Sequence, residues 1–286
     1  MIQASTDALT PGQHPGDTFA RRHIPALDRT VNRLGIACDK GISADEMRQA
    51  LDLGAEYVFW TPRMTKMVEP LKEALRRDRE RYVVTTGPTF GFLPGSLRKA
   101  VDKSRKMLDV DYLDVLQLFW LGKTSALTQT MLDELVRLRQ SGAVRRIGVS
   151  IHDRARAGQL AADSPLDLFM IRYNAAHPGA EQDIFPHLAK RRPAVVAYTA
   201  TAWGKLLQAP SGWNGAVPDP GDCYRFALSD PNVDVVLTGP ENLAQFKQNL
   251  KAMEKGPMQG EELAQMRRFG KLARESKAAL RFGFGA

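Results

Sequence analysis

From Leu34 onward the chain alternates short runs of β-branched and aromatic residues with amphipathic stretches, and this alternation is its most regular feature. The apolar runs predict strands at residues 34–37, 57–60, 81–86, 113–119, 144–150, 167–172, 194–199 and 233–238. Between them apolar positions recur at helical spacing, which predicts helices at about 43–53, 65–78, 95–108, 126–141, 153–162, 180–191, 222–229 and 241–253. Local signals mark the ends. Ser43 with Glu46 three positions later makes a capping box, and Gly54 and Gly142 stand where left-handed residues close helices.

Eight strand-and-helix pairs in about 250 residues, each crossover right-handed, predict an α/β fold of the (β/α)8 TIM-barrel class, with an extra C-terminal helix. An open doubly wound sheet would carry a glycine-rich turn after its first strand, whereas residues 34–40 read LGIACDK. Residues 1–20, with Thr10, Pro11, Gly12, Pro15 and Gly16, are expected to form a flexible leader, and residues 21–286 a single barrel domain. Chemistry in such a barrel gathers on the loops at the carboxyl ends of the strands. That restricts the search to residues 60–64, 86–88, 119–121, 150–153, 172–177, 198–205 and 238–242.

Composition narrows the function classes. With 43% hydrophobic and 25% charged residues in 286, the chain is an ordinary globular protein, not a low-complexity, collagenous or disulfide-scaffold one. The net charge of +8 is spread along the chain, including Arg267, Arg268, Lys271, Arg274 and Lys277, without interleaved aromatics. It reads as a solvated face, so no nucleic-acid partner is expected. Two cysteines, Cys38 and Cys223, form no CxxC pair and suit a reducing compartment. No apolar stretch reaches the roughly 18 residues of a membrane span, and the first residues lack a secretory signal, so a cytoplasmic location and no membrane partner are expected. His152, His177, Glu181 and His187 lack metal-ligand spacing, and no metal is expected.

Four stretches carry a resemblance: residues 50–61 (ALDLGAEYVFWT), 111–120 (DYLDVLQLFW), 142–150 (GAVRRIGVS) and 195–207 (VVAYTATAWGKLL). They resemble the aldo/keto reductase family over roughly residues 27–270. Reductases of that family use an Asp, a Tyr, a Lys and a His to protonate a carbonyl as hydride arrives. Aligned within each motif, those positions fall on Phe59, Met64, Gly87 and Phe119 here, and no neighbouring residue restores a phenol beside a lysine. Losing the Lys and Asp together strands neither charge, so the exchange is self-consistent. The region has become apolar and aromatic, and Phe59, Trp60, Phe119 and Trp120 are the expected substrate pocket.

The resemblance implies NADP(H) as cofactor. Tyr198 matches the position whose ring stacks on nicotinamide, Thr199, Thr201 and Gly204 the pyrophosphate loop, and Ser150 one carboxamide contact. The other carboxamide positions are Ile151 and Met170. Residues 237–250 (LTGPENLAQFKQNL), with Gly239, Gln245 and Asn249, look like the segment that holds the adenosine side.

Three further polar residues are candidates for the missing chemistry. His152, directly after the fifth predicted strand, would present an imidazole as acid or base. Arg172, on the same strand face as Met170, would hold an anionic group, and Arg63 would supply the cation that Gly87 lacks. The expected ligand is a small molecule of aromatic or apolar character; nothing in the pattern specifies its identity or an oligomeric state. Three classes remain open: a redox enzyme with an atypical proton source or an already activated substrate such as an iminium ion; a lyase, isomerase or cyclase; and a non-catalytic binding or partner protein.

Overall fold

The computed structural model describes residues 17–38, 40–88, 96–122 and 127–276. The chain enters through an antiparallel hairpin, β1 (Arg21–Ile24) and β2 (Arg29–Asn32), which the strand count from Leu34 omits. Eight parallel strands follow: β3 (Leu34–Ala37), β4 (Tyr57–Phe59), β5 (Val83–Thr86), β6 (Leu113–Leu121), β7 (Val144–Ile151), β8 (Leu168–Arg172), β9 (Ala194–Tyr198) and β10 (Val235–Thr238). They pair in sequence order, and β10 closes on β3, so the expected barrel is the observed one.

The helices between them are α1 (Ala44–Asp52), α2 (Val68–Arg77), α3 (Ser96–Leu108), α4 (Gln129–Gln140), α5 (Arg154–Asp163), α6 (Ala180–Asp183), α7 (Pro220–Ser229) and α8 (Leu243–Ala252). The extra helix, α9 (Gly260–Glu275), comes last. The capping box of Ser43 and Glu46 opens α1, and Gly54 and Gly142 take φ of +111° and +76° after α1 and α4. The helix expected over residues 180–191 is instead one turn, α6, then a 3-10 turn at Phe185–His187. Pro186 is the reason, since it has no N–H to donate and its ring clashes with the preceding turn. No described helix is long and apolar enough to cross a membrane.

Strand parity sorts the apolar residues into two cores. Val58, Trp60, Val84, Leu116, Phe169 and Val236 face outward and pack under the helices. Tyr57, Phe59, Val83, Val115, Leu168, Val196, Tyr198 and Leu237 face the axis, where Ile24, Leu27 and Val31 of the hairpin join them. The hairpin therefore plugs the amino-terminal end of the barrel. Gly35 shows how full the interior is: a Cβ there would meet Val235, Tyr57 and Leu237 at 2.9, 3.0 and 3.1 Å.

At that same end, four carboxylates on alternate strands each accept a backbone N–H: Glu56 from Asn32 (3.0 Å), Asp114 from Val84 (2.9 Å), Asp167 from Ile147 (3.0 Å) and Asp234 from Val195 (2.8 Å). Each also pairs with an arginine, respectively Arg21, Arg79, Arg139 and Arg192. Buried carboxylates need such partners to be tolerated at all. Part of the arginine excess is thus structural, not a solvated face. Of the expected leader, residues 1–16 lie outside the described residues, while Asp17 Oδ1 accepts the His23 N–H at 2.7 Å and Phe19 packs on the outer core.

Because the plug fills the barrel end remote from the strand carboxyl termini, Leu27→Ala is expected to lower the unfolding free energy by about 2–5 kcal/mol, as a buried Leu truncation does. Urea denaturation measures it; an unchanged midpoint would show the hairpin to be dispensable.

Candidate active site

The strand carboxyl ends surround a cleft of about 540 Å³ whose wall includes Phe59, Trp120, His152, Met170, Tyr198 and Leu237. All but Trp120 project from inward-facing strand positions or their direct continuation. Trp120 reaches the mouth for a different reason. Between Leu118, paired with Val149, and Leu121, paired with Ile151, β6 carries one extra residue. This bulge turns Phe119 and Trp120 to the same end although they are sequence neighbours. The result is a continuous aromatic wall: Phe59 to Phe119 5.3 Å, Phe119 to Trp120 5.4 Å and Trp120 to Tyr198 6.0 Å between ring centroids.

Trp60 is not part of that wall, contrary to expectation. One position after inward-facing Phe59 it must face outward, and it is 0% exposed in the outer core, with its indole N–H donating to the Met64 carbonyl at 3.2 Å. Phe59, Met64, Gly87 and Phe119 do come together. Met64 and Phe119 pack on the inner core beside Phe59. A Cβ at Gly87 would lie 1.9 Å from the Gln117 carbonyl oxygen and 2.7 Å from Phe119 Cε2. The phenyl ring thus occupies the space a side chain at position 87 would need, and none of the four carries a transferable proton.

Titratable chemistry sits at the far end of that wall, beside Trp120. The Tyr198 hydroxyl shares a hydrogen bond with the His152 ring, 3.1 Å from Nδ1 and 3.3 Å from Nε2. Burial, helped by the positive charge of Arg172, holds His152 below the ordinary histidine value of 6.5. Burial pushes the Tyr198 phenol up to about 12, against the pull of Arg172. Both shifts favour the neutral pair at neutral pH. Arg172 ends β8 in register with Tyr198 and is half-buried at the rim, with no carboxylate partner among the described residues. Arg63 is exposed in the loop after β4 and does not line the cleft.

Ser150 lies beneath this pair, fully buried and inward-facing, near Tyr198 but with its Oγ making no hydrogen bond among the described residues. Thr199 and Thr201 line the cleft on a loop whose backbone is left-handed at Thr199, Ala202, Trp203 and Gly204, with φ of 54°, 49°, 60° and 80°. Only glycine adopts that conformation without cost, so the loop is held in place by its surroundings. Gly239 also lines the cleft.

Two expected cofactor residues stand elsewhere. Asn249 is 6% exposed and donates to Thr238 Oγ1 at 3.1 Å, which in turn donates to the Tyr224 hydroxyl at 2.9 Å; it locks α8 to β10 and does not reach the cleft. Gln245 is exposed on the first turn of α8, bonded to Glu241 and off the cleft wall. Four polar or aromatic cleft residues were not singled out as candidates, Lys40, Trp203, Tyr224 and Glu241, although the searched stretches 198–205 and 238–242 contain Trp203 and Glu241. Lys40 and Glu241 follow β3 and β10 closely, so the strand-end rule reaches them, and Trp203, 72% exposed, shares the loop of Thr201. Among the described residues no group of three or more His, Cys, Asp or Glu side chains is placed to hold a metal ion.

The sequence profile described as the aldo/keto reductase family matches residues 33–212. Among curated proteins the chain is 22% identical over 255 residues to L-galactose dehydrogenase of Arabidopsis thaliana, covering 72% of this chain and 76% of that one. It is 24% identical over 261 residues to pyridoxine 4-dehydrogenase of Escherichia coli, covering 78% and 90%. Among solved structures, the holo form of an aldo-keto reductase from Bacillus halodurans superposes with a TM-score of 0.72 at 22% identity, covering 92% of this chain and 98% of that one. An aldo-keto reductase from Klebsiella pneumoniae in complex with NADPH gives 0.70 at 21%, covering 86% and 93%.

Gly87→Ala is expected to destabilise the fold by about 1–3 kcal/mol, the usual cost of overpacking. Since the nearest atom is a backbone carbonyl, adding Phe119→Ala should not restore the loss. Thermal melting of the single and double variants checks both statements, and full rescue by the second substitution would refute the second.

Proposed function

Since the chain belongs to the aldo/keto reductase family, we propose that it is an oxidoreductase that holds NADP(H) in the cleft, acts on a small molecule of aromatic or apolar character, and obtains its proton from His152 and Tyr198. The observation that carries this is the hydrogen-bonded pair at 3.1 Å standing in the cleft across from the proton-free cluster of Phe59, Met64, Gly87 and Phe119.

The residues present fit a nicotinamide dinucleotide. Buried Ser150 Oγ has an unmet hydrogen-bonding capacity suited to a carboxamide, Tyr198 offers a ring face on the cleft wall, and Thr199, Thr201 and Gly239 line the way out. Met170 and outward-facing Ile151 leave Ser150 as the carboxamide's single polar side chain there. The neighbour from Klebsiella pneumoniae was solved with NADPH, which supports the same cofactor. The cofactor, when bound, supplies the hydride.

The chain's part is to place the acceptor against Phe59, Phe119 and Trp120, to exclude water there, and to deliver a proton to the developing oxyanion through His152 or the Tyr198 hydroxyl. Arg172 is the anchor for an anionic substituent. The protein works in a reducing, cytoplasmic setting, which suits two buried free cysteines, Cys38 and Cys223. The same acid–base pair would serve a lyase or isomerase, and failure of the purified protein to bind either NADPH or NADH at millimolar concentration favours that reading.

Ordinary aldehydes should be poor substrates, because a tuned general acid is worth about 10²–10⁴ in rate and Phe59, Met64, Gly87 and Phe119 supply none. NADPH consumption with a panel of reactive aldehydes is expected below about 1 per second; turnover in the usual enzymic range of roughly 1–10³ per second counts against the proposal.

The pH dependence has a definite sign. His152 is depressed below 6.5, so it is neutral at neutral pH and gains its proton only as pH falls through the lowered value. Proton delivery by His152 therefore makes kcat rise on the acid side, and His152→Gln should flatten that rise. Arg172→Ala should mainly raise KM. An acid limb surviving in the His152 variant assigns the proton to another group.

A further inference from the structure

Three neighbouring strands of the barrel, β7, β8 and β9, end on polar side chains at one level of the rim. Met170 lines the cleft, and Arg172, two positions later on β8, faces the axis as well. β8 pairs with β9 through Arg172 and Tyr198, and with β7 through Ile171 and Ile151, so His152, the next residue of the chain, falls beside Arg172. Neighbouring strands lie about 4.8 Å apart, which leaves Arg172 flanked by the imidazole and the phenol. Those two rings meet across the width of β8, with the Tyr198 hydroxyl 3.1 Å from His152 Nδ1. Burial dominates the shifts of both, and the charge of Arg172 pulls each of them down, as a cation close to both must.

Arg172 is half-buried, yet among the described residues no carboxylate pairs with it. A guanidinium so placed gains from an anion, and its planar fork matches a carboxylate through two parallel hydrogen bonds. The remaining neighbour of the pair is apolar: Trp120 stands 6.3 Å from His152 and 6.0 Å from Tyr198, and its ring continues into Phe119 at 5.4 Å. A proton donor, a cation and an apolar wall thus surround one point. A carbon that bears a carbonyl oxygen, a carboxylate and an apolar chain presents the three matching groups within one bond of its centre.

We propose that Arg172 binds a carboxylate attached directly to the reacting carbon, so that the substrate is a 2-oxo acid with an aromatic or bulky apolar side chain, or the 2-hydroxy acid in the reverse direction. The proposal rests on the oxidoreductase reading above and names its substrate class. In the reducing direction C2 gains a hydride from the reduced cofactor, the carbonyl π pair moves to oxygen, and that oxygen takes one proton from the pair of His152 and Tyr198, which regains it from water. The products are the 2-hydroxy acid and the oxidised cofactor.

Calorimetric titration of the purified full chain with phenylpyruvate and with phenylacetone, which carries a methyl in place of the carboxylate, tests it with no cofactor present. The 2-oxo acid should bind tighter by about tenfold or more, the usual worth of charge-assisted hydrogen bonds, and Arg172→Gln should bring the ratio close to one. Equal affinities in the wild type, no measurable binding of phenylpyruvate at millimolar concentration, or an undiminished ratio in the variant overturns the proposal. Should Arg172→Gln fail to fold, Arg172→Lys, which keeps the charge and loses the planar fork, should lower the ratio, and an unchanged ratio there overturns the proposal equally. NADPH and NADH are titrated separately. Preference for the 2-oxo acid with neither nucleotide bound overturns the oxidoreductase reading and leaves Arg172 as a carboxylate site, whereas nucleotide binding with equal affinities for the two ketones overturns this proposal and leaves that reading standing.

Discussion

Closure of eight parallel strands is the constraint on which the rest of the structure depends. Once β10 pairs with β3, every strand residue faces either the axis or the helices, and nothing remains at an open edge. That parity decides roles which residue type leaves undecided. Phe59 and Trp60 are both large and aromatic, yet one lines the cleft and the other is buried among the outer apolar residues. Ser150 and Ile151 divide in the same way, so Ser150 points towards the axis and Ile151 joins the outer core.

The two ends of the barrel then solve different problems. At the amino-terminal end the hairpin fills the axis, and four carboxylates each take a backbone amide and an arginine. Such an arrangement suits rigidity, because removal of an arginine would leave a carboxylate less compensated. At the carboxyl end satisfaction is incomplete. Among the described residues Ser150 Oγ has no hydrogen-bond partner and Arg172 no carboxylate, and the loop from Thr199 to Gly204 holds three non-glycine residues in left-handed conformations. Unmet polar capacity and stored backbone strain are what a ligand site requires of a scaffold that is rigid elsewhere.

The mouth is divided as well. At one end Phe119 fills the room above Gly87 and joins Phe59 and Trp120 in an apolar wall; at the other His152 and Tyr198 share a side-chain hydrogen bond. Trp120 joins the two, its ring 6.3 Å from His152 and 6.0 Å from Tyr198, so proton chemistry adjoins the apolar wall. Burial raises Tyr198 and lowers His152, and both rings pack against Trp120.

The hydrophobic pattern by itself determined the repeat. Period-two apolar runs alternating with helical spacing permit few closures, and the capping box at Ser43 and the terminating glycines set local boundaries through short-range bonds. It also located His152, Arg172, Tyr198 and Ser150 near one rim, since position along a strand fixes which end a residue approaches. Local pattern could not reveal the hairpin plug, whose burial depends on strands distant in sequence, nor the β6 bulge, which exists only relative to its β7 partner. Pairing across the barrel likewise turned Trp60 outward, drew Asn249 back to Thr238 and brought Glu46 to the foot of α8. Those outcomes were left to tertiary structure because each depends on which atoms come within about 3 Å after closure, a relation between segments that neither segment encodes alone.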